Sequence, residues 1–210
     1  MVRPLTPPPR IEPPHETPTT RTLLLQAAAA EFIEFGFGAT DTNRIARRAG
    51  FAPQTFYRWF TDKAEIFIEV LGIWEEAEHA ILETIFLQPP LPSEELAEAC
   101  VESTRSFLIF RRNLRALSID HPQIRQARAA GRKRLLRQLS QWNPHIDTEK
   151  LASLLIQFER LCEALAEGEF EDLGLSGRAS LQALARIIDA MRHAPDGPKK
   201  KRVAAKRVTC

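Results

Sequence analysis

Apolar residues recur at helical spacing through most of the chain. Leu24, Ala28, Phe32 and Phe35 are four, four and three positions apart, which places them on one helix face. Gly36 follows the last of them, where glycine commonly ends a helix. A short second helix is predicted from about Thr42 to Ala49. Asp41 serves as its N-cap, because a short carboxylate accepts the orphan amide hydrogens of a first turn. Gly50 breaks it. A third helix begins at Pro53, whose missing N–H costs nothing at the first helical position, and ends near Phe60. Asp62 caps a long fourth helix through about Ile85. Pro89, Pro90 and Pro92 then interrupt the chain, and further amphipathic helices are predicted over 93–112, 123–142, 148–168 and 177–193. No β-type alternation stands out, so the expected fold class is all-α.

Two short helices joined through a glycine turn, after a longer supporting helix, make a helix-turn-helix at residues 41–60. The second short helix must bury one face and offer the other. Phe56 and Phe60 are four apart and can seat on Ile45, Ala46, Ala49 and the first helix. Gln54, Thr55, Tyr57 and Arg58 are left facing outward. Such a helix can enter a DNA major groove with its N-terminal residues at base edges. Glutamine can read adenine bidentately, and threonine can contact bases or phosphates. Tyr57, Arg58 and Lys63 have the reach for phosphates, which fix register without carrying sequence information.

Residues 21–67 resemble the N-terminal domain of the TetR family of bacterial regulators. The resemblance lies in R-T-L-L-L-Q-A-A-A-A-E-F-I-E-F-G-F and D-T-N-R-I-A-R-R-A-G-F-A-P-Q-T-F-Y-R-W-F-T-D-K. The I-A-x-x-A-G turn, the T-F-Y centre and the F-x-x-K exit all agree. The resemblance implies that Asn43, Pro53, Gln54 and Tyr57 approach bases. It also implies that Thr42, Thr55, Tyr57, Arg58 and Lys63 touch phosphate. Two residues depart from the family pattern. Ala52 stands where a Ser or Thr often caps the recognition helix, and Phe51 replaces a smaller aliphatic residue.

The same resemblance implies a helical effector-binding and dimerisation domain over residues 65–194, after a DNA-binding domain at 19–64. The partners implied are a double-stranded, palindromic DNA operator, a second copy of the chain and a small-molecule effector that relieves repression. The last two long helices are expected to pair with their copies in a homodimer. Their apolar stripes fit this: Leu151, Leu154, Leu155, Phe158, Leu161 and Leu165 in one, Leu181, Leu184, Ile187, Ile188 and Met191 in the other. Aromatic candidates for an effector pocket are Trp74, Phe86, Phe107, Phe110, Trp142 and Phe158, with His79, Glu159 and Arg160 as polar candidates. The apolar and aromatic content favours a hydrophobic small molecule.

Composition adds boundaries to this picture. The chain has 210 residues, 44% apolar and 27% charged, with a net charge of +2, so DNA affinity must come from where charges sit. Seven prolines fall in residues 1–18, which read as a disordered tail, and Lys199, Lys200, Lys201, Arg202, Lys206 and Arg207 make a second, basic tail over 195–210. Its Pro198-Lys-Lys-Lys-Arg-Val203 stretch resembles a nuclear import signal. In a bacterial regulator it would add nonspecific phosphate attraction. No run is long and apolar enough for a signal peptide or a membrane helix, so a cytoplasmic, nucleoid-associated protein is expected. Cys100, Cys162 and Cys210 are too few and too widely spaced for a disulfide framework. Cys100 and Cys162 read as small core residues. The basic run from Arg111 to Arg137 reads as a helix face laced with salt bridges. No metal-ligand spacing, glycine-rich phosphate loop or nucleophile–base pattern is present, so neither an enzyme nor a cofactor is expected. A helical enzyme and a helix-turn-helix protein working without a small ligand are the rival readings.

Overall fold

A computed structural model describes residues 18–87 and 91–192 of the chain, and of residues 80–87 only the backbone. The two expected tails lie outside the described residues, residue 18 apart, as do Cys210 and the side chain of Phe86. Among the described residues the fold is helical, and no helix there is long and apolar enough to cross a membrane. The helices are α1 (Thr20–Glu34), α2 (Thr42–Arg48), α3 (Pro53–Phe56), α4 (Lys63–Leu87) and α5 (Ser93–Ser106). They continue with α6 (Leu108–Asp120), α7 (Pro122–Trp142), α8 (Thr148–Glu167) and α9 (Arg178–Arg192).

Local chemistry sets most of these ends. Thr19 accepts from the Thr22 amide, Asp41 from Arg44, Asp62 from Glu65 and Asp147 from Lys150, each a side-chain oxygen taking an unpaired first-turn N–H. Gly50 has φ +83° and lets α2 close in a Schellman turn: the Phe51 amide donates to Ala46 and the Gly50 amide to Arg47.

Three expectations change. Phe35 is the C-cap of α1 and is 41% exposed, not on the buried stripe; its ring is covered instead by the Arg44 guanidinium, 4.3 Å away. The third helix is a single turn, ending at Phe56 rather than Phe60, and its remainder is turn. The helix expected over 93–112 breaks at Phe107, and a separate helix runs on to Asp120. The break has a local cause. Thr104 and Ser106 turn their hydroxyls back to the carbonyls of Cys100 and Glu102, which bends and loosens a helix.

The first apolar core holds Leu24, Ala28 and Phe32 of α1, Ile45 and Ala46 of α2, and Phe56 and Phe60, as the pattern predicted. It does not stop at the end of the helix-turn-helix. Phe67 of α4 meets Phe32 edge-on at 5.1 Å and stacks on Phe110 of α6 at 4.9 Å, and Trp74, Phe107 and Leu114 continue the same cluster. Such aromatic pairs add about 0.5–1.5 kcal/mol each beyond area burial. The helix-turn-helix and α6 therefore share one apolar core.

A second core joins α5, α8 and α9 through Leu96, Ala97, Cys162, Leu165, Leu184, Ile188 and Met191. Much of the stripe assigned to dimerisation is thus spent inside the chain: Leu151, Leu155, Leu165, Leu184, Ile188 and Met191 are buried without a partner chain. Cys162 lies in this core and Cys100 packs on it. Burial pushes both thiols up, Cys100 to about 12, away from the thiolate a sensor needs.

Candidate nucleic-acid interface

The one-turn helix α3 stands on its aromatic floor. Phe56 and Phe60 are buried, while Gln54, Arg58, Tyr57 at 60% and Trp59 at 46% are exposed. Thr55 and Pro53 are half-buried. Ala52 is the N-cap and makes no side-chain cap bond, so the first amides of α3 lack the hydroxyl that its position could supply.

α2 contributes the second edge of the surface. Asn43 is exposed and Thr42 half-buried; the Thr42 hydroxyl lies 3.0 Å from the Tyr57 hydroxyl, a hydrogen bond that ties the two helices at their outer side. Arg47 is exposed one turn after Asn43, on the same face of α2. Its position was legible from that four-residue spacing, and it belongs with the surface although the motif alone does not single it out.

The inner side of α2 is clamped. Glu31 of α1 is 4% exposed. Its carboxylate accepts from Arg44 Nε at 2.9 Å and from Arg48 Nη1 at 3.0 Å, and Arg48 also donates to Glu34. A buried carboxylate with two guanidinium donors fixes the crossing of α1 and α2.

Lys63 is not brought to the face with the others. Its ammonium donates to the carbonyls of Phe37 and Thr40 at 2.6 Å each and sits 4.1 Å over the Phe37 ring. Burial lowers its pKa. In this arrangement it holds the α1–α2 loop rather than reaching outward.

The same loop is gripped from α6. The Phe37 amide donates to Asn113 Oδ1 at 3.0 Å, and Gly36, at φ +77°, has no Cβ to collide with the Asn113 amide. The Phe37 ring also meets His121 at the α6–α7 junction.

Two residues before Asn113, Arg111 lines a cavity of about 60 Å³ between α4, α6, α7 and α8. Trp74, Glu75, Glu78, Arg128, Arg132 and Glu159 are among its other walls. Of the aromatic pocket candidates, Trp74 lines this cavity. Phe107 and Phe110 lie behind it, 5.9 and 5.8 Å from the Trp74 ring. Trp142 packs on a separate small cluster with Leu139, Ile146 and Leu151, and Phe158 on the α5–α8–α9 core, so these two are not part of the cavity. His79 and Glu159 do line it; Arg160 instead pairs with Glu169 at 2.6 Å.

Charged residues make up just over half of the cavity lining. The basic run supplies the cations among them. Arg111 pairs with Glu78, Arg132 with Glu159, Arg134 with Glu75 and Arg115 with Glu163. These are the salt bridges expected of the run, but several point between helices rather than into solvent. Glu75, Glu78, Arg111 and Arg128 gave no periodic signal as a group, because they are brought together by three different helices.

A glycine-turned pair of short helices, with an exposed polar edge on an aromatic floor, defines a helix-turn-helix DNA-binding module. The model describing bacterial regulatory proteins of the tetR family matches residues 24–70. YdgC, an HTH-type transcriptional regulator of Bacillus subtilis, is 27% identical over 175 residues, covering 78% of this chain and 87% of its own. A TetR-family transcriptional regulator of Mesorhizobium loti is 25% identical, with a TM-score of 0.57 over 82% of this chain and 93% of its own. The fatty acid degradation regulator FadR of Bacillus halodurans shares the fold at 16% identity, with a TM-score of 0.59 over 85% of this chain and 100% of its own. Residues 24–70 thus match the tetR-family model, and over most of its length the chain is similar to HTH-type and TetR-family transcriptional regulators.

Proposed function

We propose that this chain is a repressor that binds a palindromic operator as a homodimer and leaves it when a small molecule occupies the cavity. The link through α6 carries this reading. Arg111 and Leu114 form the cavity wall, and Asn113 between them holds the backbone of the α1–α2 loop. A ligand that shifts α6 thereby shifts the support of the reading helices. By linkage, such a ligand must prefer the state that fits DNA poorly.

In this reading residues 19–64 bind DNA and residues 65–194 sense and dimerise. Gln54, Tyr57, Asn43 and Pro53 meet base edges, with Thr42, Thr55, Arg58 and Arg47 on phosphates. Lys63 touches phosphate only by releasing the Phe37 and Thr40 carbonyls. The dimer covers the apolar side chains that α8 and α9 leave partly open, Leu154, Phe158, Leu161, Leu181 and Ile187, with exposed Ile156.

Selection of bound sequences from a random DNA pool tests the reading directly. Inverted half-sites one helical turn apart are expected, about 34–36 Å between centres. An asymmetric single site, or a monomer by light scattering at micromolar concentration, overturns the dimeric repressor.

A further inference from the structure

We infer, building on the effector reading above, that the cavity takes the head group of a carboxylate-bearing small molecule, its oxygens accepting from Trp74 Nε1, Arg111 Nε and Arg128. The hydrogen-bonding groups around the cavity are unevenly satisfied. The acids around the cavity have donors: Arg134 for Glu75, Arg111 for Glu78, Arg132 for both oxygens of Glu159, and Arg115 for Glu163. The donors are less well matched. Trp74 is 5% exposed and its indole N–H has no acceptor, and the Nε of Arg111 is likewise buried without one. The two side chains touch, with the Arg111 guanidinium 4.5 Å from the Trp74 ring centre. Arg128, from α7, comes within 3.7 Å of a Glu159 oxygen that already accepts from Arg132. Buried donors without acceptors are rare in folded proteins and mark a missing partner. The residues that carry these donors come from three helices and line one cavity, and a carboxylate brings two oxygens with about four lone-pair sites.

Size and shape agree. The volume of about 60 Å³ is near that of two liquid waters, enough for a carboxylate and a carbon or two. Leu114 and Leu135 line the same cavity and offer an apolar path for the rest of the molecule. A cationic ligand would leave the Trp74 and Arg111 donors unpaired.

The neighbouring glutamates set the charge. Glu75 faces Glu78 on its own helix, Arg134 and the Gly131 backbone on α7, and Glu159 on α8, with His79 in the same cavity wall. Gly131 allows this approach, since a Cβ there would stand 1.9 Å from a Glu75 oxygen. Burial, with added repulsion from Glu78 and Glu159, pushes Glu75 up to about 7 against the pull of Arg134, and burial raises Glu78 as well. His79 is lowered by burial and by Arg134, against the pull of Glu76. An arriving anion raises Glu75 further, so binding takes up a proton and tightens as pH falls from 8 towards 6.

The test uses the purified full chain and sodium salts of straight-chain monocarboxylates from acetate to octanoate, with the primary amides and amines of equal length, at constant ionic strength. Melting temperature and calorimetric affinity are read near pH 6, 7 and 8. At least one carboxylate should raise Tm by about 5 °C or more at a hundredfold excess over Kd. Its amide and amine should not. Affinity should rise from pH 8 to pH 6. Trp74→Phe keeps the ring and loses the N–H, and Arg128→Gln loses the cation; each should weaken carboxylate binding about tenfold or more. Stabilisation by amines instead, binding by no carboxylate, or wild-type affinity in both variants overturns the inference. Gel shifts with the selected operator run in parallel. A carboxylate that binds without changing operator affinity removes the effector reading and leaves this site standing. Operator release that survives both substitutions removes this site and leaves the effector reading.

Discussion

Glu31 is 4% exposed, yet it lies on a helix whose neighbours Ala27, Ala28 and Phe32 build an apolar core. Its two guanidinium partners come from α2, 13 and 17 residues further on, and hold that helix at its inner side. Glu31→Ala should cost about 1.5–3 kcal/mol, the range for hydrogen bonds to charged groups, read by chemical denaturation. Glu34 remains to hold Arg48, which keeps the loss from growing larger. Ala52 gives the opposite case. It has extended backbone at the N-cap of α3 and no cap bond. Ala52→Ser should stabilise the chain by about 1 kcal/mol, a rise of about 2–4 °C in Tm. The caps at Asp41 and Asp62 and the gap at Ala52 were legible in the sequence, because a cap involves residues three apart. Glu31 was not, because its partners are set by the crossing of two helices. Phe35 failed for the same reason: periodicity places a ring on a face but does not reveal that Arg44 covers it from the next helix.

At the scale of elements, the helices that periodicity located well are those whose ends are local events. The break at Phe107 escaped because Thr and Ser side chains back-bonding to carbonyls leave no mark on the apolar pattern. Contacts between elements were the least legible, and they carry the regulation proposed for this chain. Asn113→Ala removes the acceptor for the Phe37 amide while leaving the cavity walls in place. It should leave ligand-induced stabilisation intact and reduce the ligand's effect on operator affinity; equal coupling in variant and wild type would assign the signal to α4 instead. The α4–α7 contact has a pH signature of its own. Glu75 rises from 4.5 to about 7 on folding, so folding takes up a proton between those values. The stability owed to the neutral form is full below the lower value and is lost as pH rises through the upper one. Glu75→Gln abolishes that titration and keeps an oxygen for Arg134. Its Tm relative to wild type should therefore be higher near pH 8 than near pH 5.

For the whole molecule, the sequence made the all-helical class and the reading module plain, since several spaced residues of one short segment agree at once. The half proposed to sense stayed dark because its cavity is assembled from α4, α6, α7 and α8, each an ordinary amphipathic helix by itself. With a net charge of +2, DNA binding depends on a few placed cations rather than on bulk attraction. Arg58 and Arg47 are exposed and carry no ion pair as fixed as those of Arg44 and Arg48. In a dimer each counts twice. Each neutralised phosphate contributes about 0.9 to the slope of log affinity against log salt, so Arg58→Gln should reduce that slope by about 1.8. The loss should be the same for operator and random DNA, because phosphate contacts carry no sequence information. Gln54→Ala should behave in the other way: an unchanged salt slope, with discrimination between operator and random DNA reduced by about 1–3 kcal/mol per half-site. Titrations of both variants against both DNAs at several salt concentrations separate the two roles. If Arg58→Gln changes discrimination and leaves the slope, Arg58 reads bases and the register of α3 in the groove must be turned toward its C-terminal end.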